Sequence, residues 1–126
     1  MIRVLLVDDH EVFLQGLALL LSRDERLDVV GTATNGADAV QLATALHPDV
    51  VLLDVVMPGM DGFTAAEELR AREPGAAVVL VSGLDEEAAS ARAVSVGAAA
   101  FVTKAEAVAR LPDILVAVAL GEGDPV

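Results

Sequence analysis

Five short apolar runs recur along the chain, each followed by a stretch in which apolar residues return every three or four positions. The runs cover Ile2–Val7, Leu27–Ala33, 50–53, 77–81 and 99–102. They are β-branched and largely apolar, as parallel strands covered on both faces should be. The stretches between them predict helices over Glu11–Ser22, Gly36–Leu46, 62–71, 86–96 and 111–120. Turn formers sit at the joints: Asn35-Gly36, His47-Pro48, Pro58-Gly59, Pro74-Gly75 and Gly97. Strict alternation of β and α elements predicts a three-layer α/β sandwich with right-handed crossovers. Pro112 is out of place in a helix interior, so the last helix is expected to start at Leu111, with 105–110 as loop.

The chain of 126 residues fits one domain with a real core, and 55% hydrophobic residues exclude a disordered chain. It has no cysteine, hence no disulfide framework and no thiol chemistry. The first apolar run is broken by Asp8 and Asp9 and does not read as a signal peptide. The uncharged run 114–121 is too short to span a bilayer, so a soluble cytoplasmic protein is expected. The net charge of −12 and a pI near 4.2 oppose direct contact with nucleic acid or anionic membranes. Residues 1–120 are expected to form the domain. Residues 121–126 have the composition of a linker or C-terminal tail, where the chain either ends or was cut.

The residues with chemical potential stand at the ends of the apolar runs. Asp8 and Asp9 come after the first run, Asp54 after the third, Ser82 and Gly83 after the fourth, and Lys104 after the fifth. In an open parallel sheet, ligands bind outside the carboxyl ends of the strands, where strand order reverses. Two like charges ~4 Å apart repel by roughly 4 kcal/mol at an effective dielectric of ~20, so three carboxylates there call for a counter-charge. Mg²⁺ (or Mn²⁺) is the natural candidate, since hard cations take carboxylate, carbonyl and phosphate oxygens. Lys104 offers a point charge suited to phosphate, Ser82 a hydroxyl, and Gly83 an unobstructed N–H. Together these form a phosphoryl-transfer site, with Asp54 as the nucleophile that becomes an acyl phosphate.

Four motifs taken jointly identify a family: Val7-Asp8-Asp9-His10, Leu53-Asp54-Val55-Val56-Met57-Pro58-Gly59-Met60-Asp61-Gly62, Val81-Ser82-Gly83, and Phe101-Val102-Thr103-Lys104. Over residues 2 to about 120 the chain resembles the receiver domain of two-component response regulators. The Asp-His pair, the Met57–Gly62 segment and Leu27-Asp28-Val29-Val30-Gly31 look most like the NarL/LuxR-type branch. The resemblance implies a flavodoxin-like (βα)5 fold, doubly wound, with a five-stranded parallel sheet of order 2-1-3-4-5 and helices on both faces. It implies that Asp54 is the phosphoacceptor, that Asp9 holds Mg²⁺ directly and Asp8 through water, and that Val56 lends the metal a backbone carbonyl. Ser82 and Lys104 would bind phosphoryl oxygens, and Ser82 and Phe101 would move together as the switch. The donor would be a sensor histidine kinase or a small acyl phosphate. The output would be binding, with transcription controlled through a DNA-binding module absent from this chain. No enzymatic turnover is expected beyond self-phosphorylation and slow autodephosphorylation.

The chain departs from the family pattern in places. Ala105 stands where many receivers carry Pro, so a trans joint is expected after Lys104. Val56 and Leu84, which flank the site, are both apolar, and are expected to hinder an attacking water and lengthen the life of the phosphoryl group. His10 is expected at the loop rim, His47 in a surface loop, and Asp61 as a helix N-cap. The first and last helices carry more apolar residues than one buried stripe needs. Leu14, Ala18, Leu115, Val116 and Ala119 are the candidates for a two-fold face pairing two copies. Two other classes fit the residues less well. An aspartyl-phosphate phosphohydrolase would want an acid at Val56. A nucleotide- or flavin-binding protein would want a Gly-rich turn where Asp8 and Asp9 stand. A stand-alone receiver acting by protein–protein binding is the remaining alternative.

Overall fold

The alternating pattern becomes five parallel strands in the computed structural model, which describes residues 1–83 and 87–121, with Glu87 by its backbone alone. In chain order the elements are β1 (Ile2–Val7), α1 (Glu11–Ser22), β2 (Leu27–Ala33), α2 (Gly36–Leu46), β3 (Val50–Asp54), α3 (Gly62–Arg72), β4 (Ala77–Ser82), α4 (Glu87–Ser95), β5 (Ala100–Thr103) and α5 (Lys104–Ala119). The sheet order is β2-β1-β3-β4-β5, as the family resemblance implied. Successive side chains of a strand face opposite ways. Leu5, Val7, Val51, Leu53, Val78 and Leu80 therefore build one core with α2, α3 and α4. Val4, Leu6, Val50, Leu52, Val79 and Val81 build another with α1 and α5.

Register sets the functional edge. Val7 pairs with Leu53, Asp54 with Val81, and Ser82 with Thr103. Asp8, Asp54, Ser82 and Lys104 thus come level at the carboxyl ends of four neighbouring strands. The order reverses between β1 and β3, which opens the crevice there. Asp54 and Ser82 are the last residues of β3 and β4, so each strand runs one residue beyond its apolar run.

The last helix differs from the sequence expectation. α5 begins at Lys104 and runs through Pro112. Its start is fixed by a capping box: Thr103 accepts from the Glu106 N–H, and the Glu106 carboxylate accepts from the Thr103 N–H at 3.2 Å. An interior proline costs about 3 kcal/mol. Ala107, Leu111, Ile114, Leu115 and Val118 all bury on the sheet. At roughly 1.5–3 kcal/mol for each large apolar side chain, that stripe outweighs the proline.

Two of the proposed dimer-face residues are also corrected. Leu14 and Leu115 are 5% and 0% exposed and belong to the core under the sheet. Ala18, Val116 and Ala119 are half-buried. The apolar excess of α1 surfaces instead at Val12 and Leu19. Leu84 and the tail 122–126 lie outside the described residues. Among the described residues no helix is long and apolar enough to cross a membrane.

Candidate functional site

Each functional side chain is placed by the end of an element. Asp8 follows β1 and is buried. Its Oδ1 accepts from the His10 backbone N–H at 2.8 Å, with the His10 Nδ1 at 3.1 Å. His10 is the N-cap residue of α1, but its ring makes no capping bond and stays exposed at the rim. Asp9 is half-buried, and its Oδ1 is shut off from solvent without a hydrogen-bond partner among the described residues; the His10 Nδ1 lies 3.3 Å away. Ligating atoms of Asp8, Asp9, His10 and Asp54 lie within 4.8 Å of one another.

Asp54 is 3% exposed at the end of the central strand. Burial pushes its carboxyl up to about 6, and the nearby Asp8 charge pushes the same way. Lys104 and the Val56 N–H, 3.4 Å from Asp54 Oδ1, act against that shift, and Asp9 adds a smaller upward push. The Lys104 ammonium lies 3.7 Å from both Asp8 Oδ2 and Asp54 Oδ2 and sits over the Phe13 ring, 4.9 Å from its centroid. As the first residue of a capped helix, Lys104 is held without the proline many receivers place next to it, and no peptide bond is cis among the described residues.

Asp54 is held by a close backbone approach. Gly62, the first residue of α3, donates its N–H to the Val55 carbonyl at 2.8 Å. A Cβ at Gly62 would overlap the Asp54 carbonyl oxygen and fall 2.7 Å from Val55 Cα. Asp61 caps α3 as expected, accepting from Thr64 N–H at 2.8 Å.

These groups open into one cleft of about 590 Å³. Asp9, Asp54, Ser82, Gly83 and Lys104 line one part of it, with Val56 exposed at the mouth. Phe101 is not among the lining residues; it is half-buried against the core on the α2–α3–α4 side. Two features escaped the sequence. Phe13 is a perch for Lys104. Arg92 of α4 also lines the cleft and lies over the Phe63 ring, 4.6 Å from its centroid. A cation-and-aromatic pair on two different helices leaves no local spacing to find.

Oxygen donors dominate the cluster, and one of them is desolvated without a partner, so the residues fit a hard divalent cation.

The family model for the response regulator receiver domain matches residues 4–116. The transcriptional regulatory protein LiaR of Bacillus subtilis is 38% identical over 97% of this chain and 58% of its own length. The response regulator GacA of Pseudomonas aeruginosa is 43% identical over 82% of this chain and 49% of its own. The chain thus spans about half the length of these curated relatives. The receiver domain of the response regulator NarL from Mycobacterium tuberculosis superposes with a TM-score of 0.90 at 39% identity, covering 95% of this chain and 97% of that one.

Proposed function

The chain belongs to the response regulator receiver family, and from that premise we propose that it is a switch set by phosphorylation of Asp54. One observation carries the proposal: Asp54 lies buried, level with Asp8, and faces Lys104 at 3.7 Å in a cleft that also holds Ser82. A sensor histidine kinase, or a small acyl phosphate, would supply the phosphoryl group. The Asp54 carboxylate is the nucleophile. Lys104 neutralises charge on the phosphoryl oxygens, and the Ser82 hydroxyl and Gly83 N–H face the same space.

The Asp9 carboxylate would hold a divalent cation, since its Oδ1 is unsatisfied, whereas Asp8 Oδ1 is already engaged by His10. When bound, the cation supplies charge neutralisation for the transferring phosphoryl group. Moving the switch from 1:99 to 99:1 requires about 5.5 kcal/mol of differential contact. New bonds from Ser82 and Lys104 to phosphate oxygens are the source, with Phe101 on β5 following Ser82.

Kinship to LiaR, a transcriptional regulatory protein of which this chain spans 58%, supports control of transcription through a separate DNA-binding module. Pairing through α1 and α5 rests on Ala18, Val116 and Ala119. Phosphorylation is tested by incubating the protein with acetyl phosphate and Mg²⁺ and weighing it intact. Wild type should gain one phosphoryl group and Asp54→Asn none; labelling of the Asn variant would sink the assignment. Sedimentation equilibrium with Mg²⁺ and beryllofluoride tests the pairing. Ala18→Arg should hold the protein monomeric, and a dimer that survives it would move the interface elsewhere.

A further inference from the structure

The cleft is larger than the Asp54 site alone needs. Its volume falls in the range of small-molecule pockets, roughly 300–1,000 Å³. Besides the Asp54 site it is lined by Phe63 of α3 and by Ala88, Ala89 and Arg92 of α4. The Arg92 guanidinium rests on the Phe63 ring, and among the described residues it has no carboxylate partner. In a chain of net charge −12, Arg92 places a cation on an aromatic face in the same cleft as the anion site.

We propose that Arg92 is a donor-positioning residue: it leaves the Phe63 face to hold the phosphoryl end of a small, dianionic acyl phosphate entering the cleft. This rests on Asp54 as phosphoacceptor. Asp8, Asp9 and Asp54 carry three negative charges, which Lys104 and one divalent cation just balance. Among the described residues, an incoming dianion then has no uncommitted cation in the cleft except Arg92. A weak cation–π contact, about 0.5–1 kcal/mol at an exposed site, holds the guanidinium near its task and releases it readily. In the step it assists, an Asp54 carboxylate oxygen attacks phosphorus. The new P–O bond forms as the bond to the acyl oxygen breaks. The carboxylate product leaves with the electron pair, and no proton moves.

The competing structural role is a helix-dipole contact, because Arg92 lies in the last turn of α4. That role would alter folding, not donor kinetics. Initial rates of Asp54 phosphorylation separate the two when measured against acetyl phosphate and against phosphoramidate, which carries its own ammonium and one less net negative charge. Arg92→Ala should lower kcat/KM for acetyl phosphate about tenfold, mainly through KM, as expected for one lost charge-assisted contact. The loss should be smaller for phosphoramidate, shrink with added salt, and be largely restored in Arg92→Lys. Mg²⁺ affinity should not change, and the melting midpoint should fall by no more than a few degrees, the loss expected from the weak contact with Phe63. Equal kcat/KM values for wild type and Arg92→Ala would overturn the proposal. So would equal losses for both donors, or a loss matched by weaker Mg²⁺ binding. If wild type itself is not phosphorylated at Asp54, the failure lies with the phosphoacceptor assignment instead.

Discussion

Asp54 and Asp24 are the same residue type pushed in opposite directions. Asp24, in the turn between α1 and β2, accepts from Arg26 Nε at 2.9 Å, Arg26 Nη2 at 2.6 Å and Arg26 N–H at 3.0 Å. The Arg26 side-chain bonds, then its backbone bond, pull the Asp24 carboxyl down to about 2. The same guanidinium reaches Asp113 of α5 at 3.0 Å. Asp54 is pushed up to about 6 by burial and by Asp8, and the Lys104 ammonium stands off at 3.7 Å, shared with Asp8. Asp24 is satisfied within the protein, with both carboxylate oxygens engaged by Arg26. The carboxylates at the strand ends are under-compensated, and that shortfall is what a cation and a phosphoryl group can meet. Stability is given up at one place and not at the other.

The contrast can be broken most severely at Gly62. A Cβ there meets the backbone of Asp54 and Val55, which cannot swing aside as a side chain would. Gly62→Ala should therefore destabilise the fold by about 3 kcal/mol, the upper range for overpacking, and displace Asp54 enough to suppress labelling. Urea denaturation and intact mass read the two effects. A variant as stable and as active as wild type would mean that Asp54 is not held by this approach. Asp54→Asn should act in the opposite sense. The folded pKa of Asp54 is raised, so its stabilising contribution is full below about 4 and is lost as pH rises through about 6. Without metal, Asp54→Asn should be more stable than wild type by about 2 kcal/mol at pH 7, with the gap closing toward pH 4. Added Mg²⁺ should narrow the gap by stabilising wild type more than the variant, which keeps Asp8 and Asp9 but lacks the Asp54 carboxylate. Equal stability across that range would show that burial and Asp8 do not strain the site.

Much of the Asp54 site was legible in the sequence because strand periodicity and turn residues fix where apolar runs stop, and the chemistry begins there. Asp8, Asp54, Ser82 and Lys104 needed only the parallel sheet to come level. Asp61 announced itself as a cap by standing before Gly62 and Thr64. What was not legible depends on facing and competition. Leu14 and Leu19 are equally apolar, and only the docking angle of α1 buries the first and exposes the second. Pro112 pointed to a late helix start, a local penalty overruled by the Thr103–Glu106 cap and a long buried stripe. Arg92 and Phe63 lie 29 positions apart on separate helices and meet only once both are packed.

Arg26→Ala sharpens the comparison from the other side, with the smallest effect. It removes both contacts of a solvent-facing cluster: the fork on Asp24 and the reach to Asp113. Exposed ion pairs contribute little and are screened by salt, so the urea midpoint should drop slightly at low ionic strength and hardly at all at high. Its pH window is also the mirror image of that at Asp54. A depressed carboxyl stabilises the fold above about 4 and ceases to as pH falls through about 2. The small difference between wild type and Arg26→Ala should thus be constant near neutrality and fade only in acid, while that for Asp54→Asn grows between pH 4 and 6. Asp54 phosphorylation should be unaffected in Arg26→Ala, because nothing in the cluster lines the cleft. A large, salt-independent loss would place Arg26 among the supports of α5, and the division between a satisfied acid and a strained one would no longer hold.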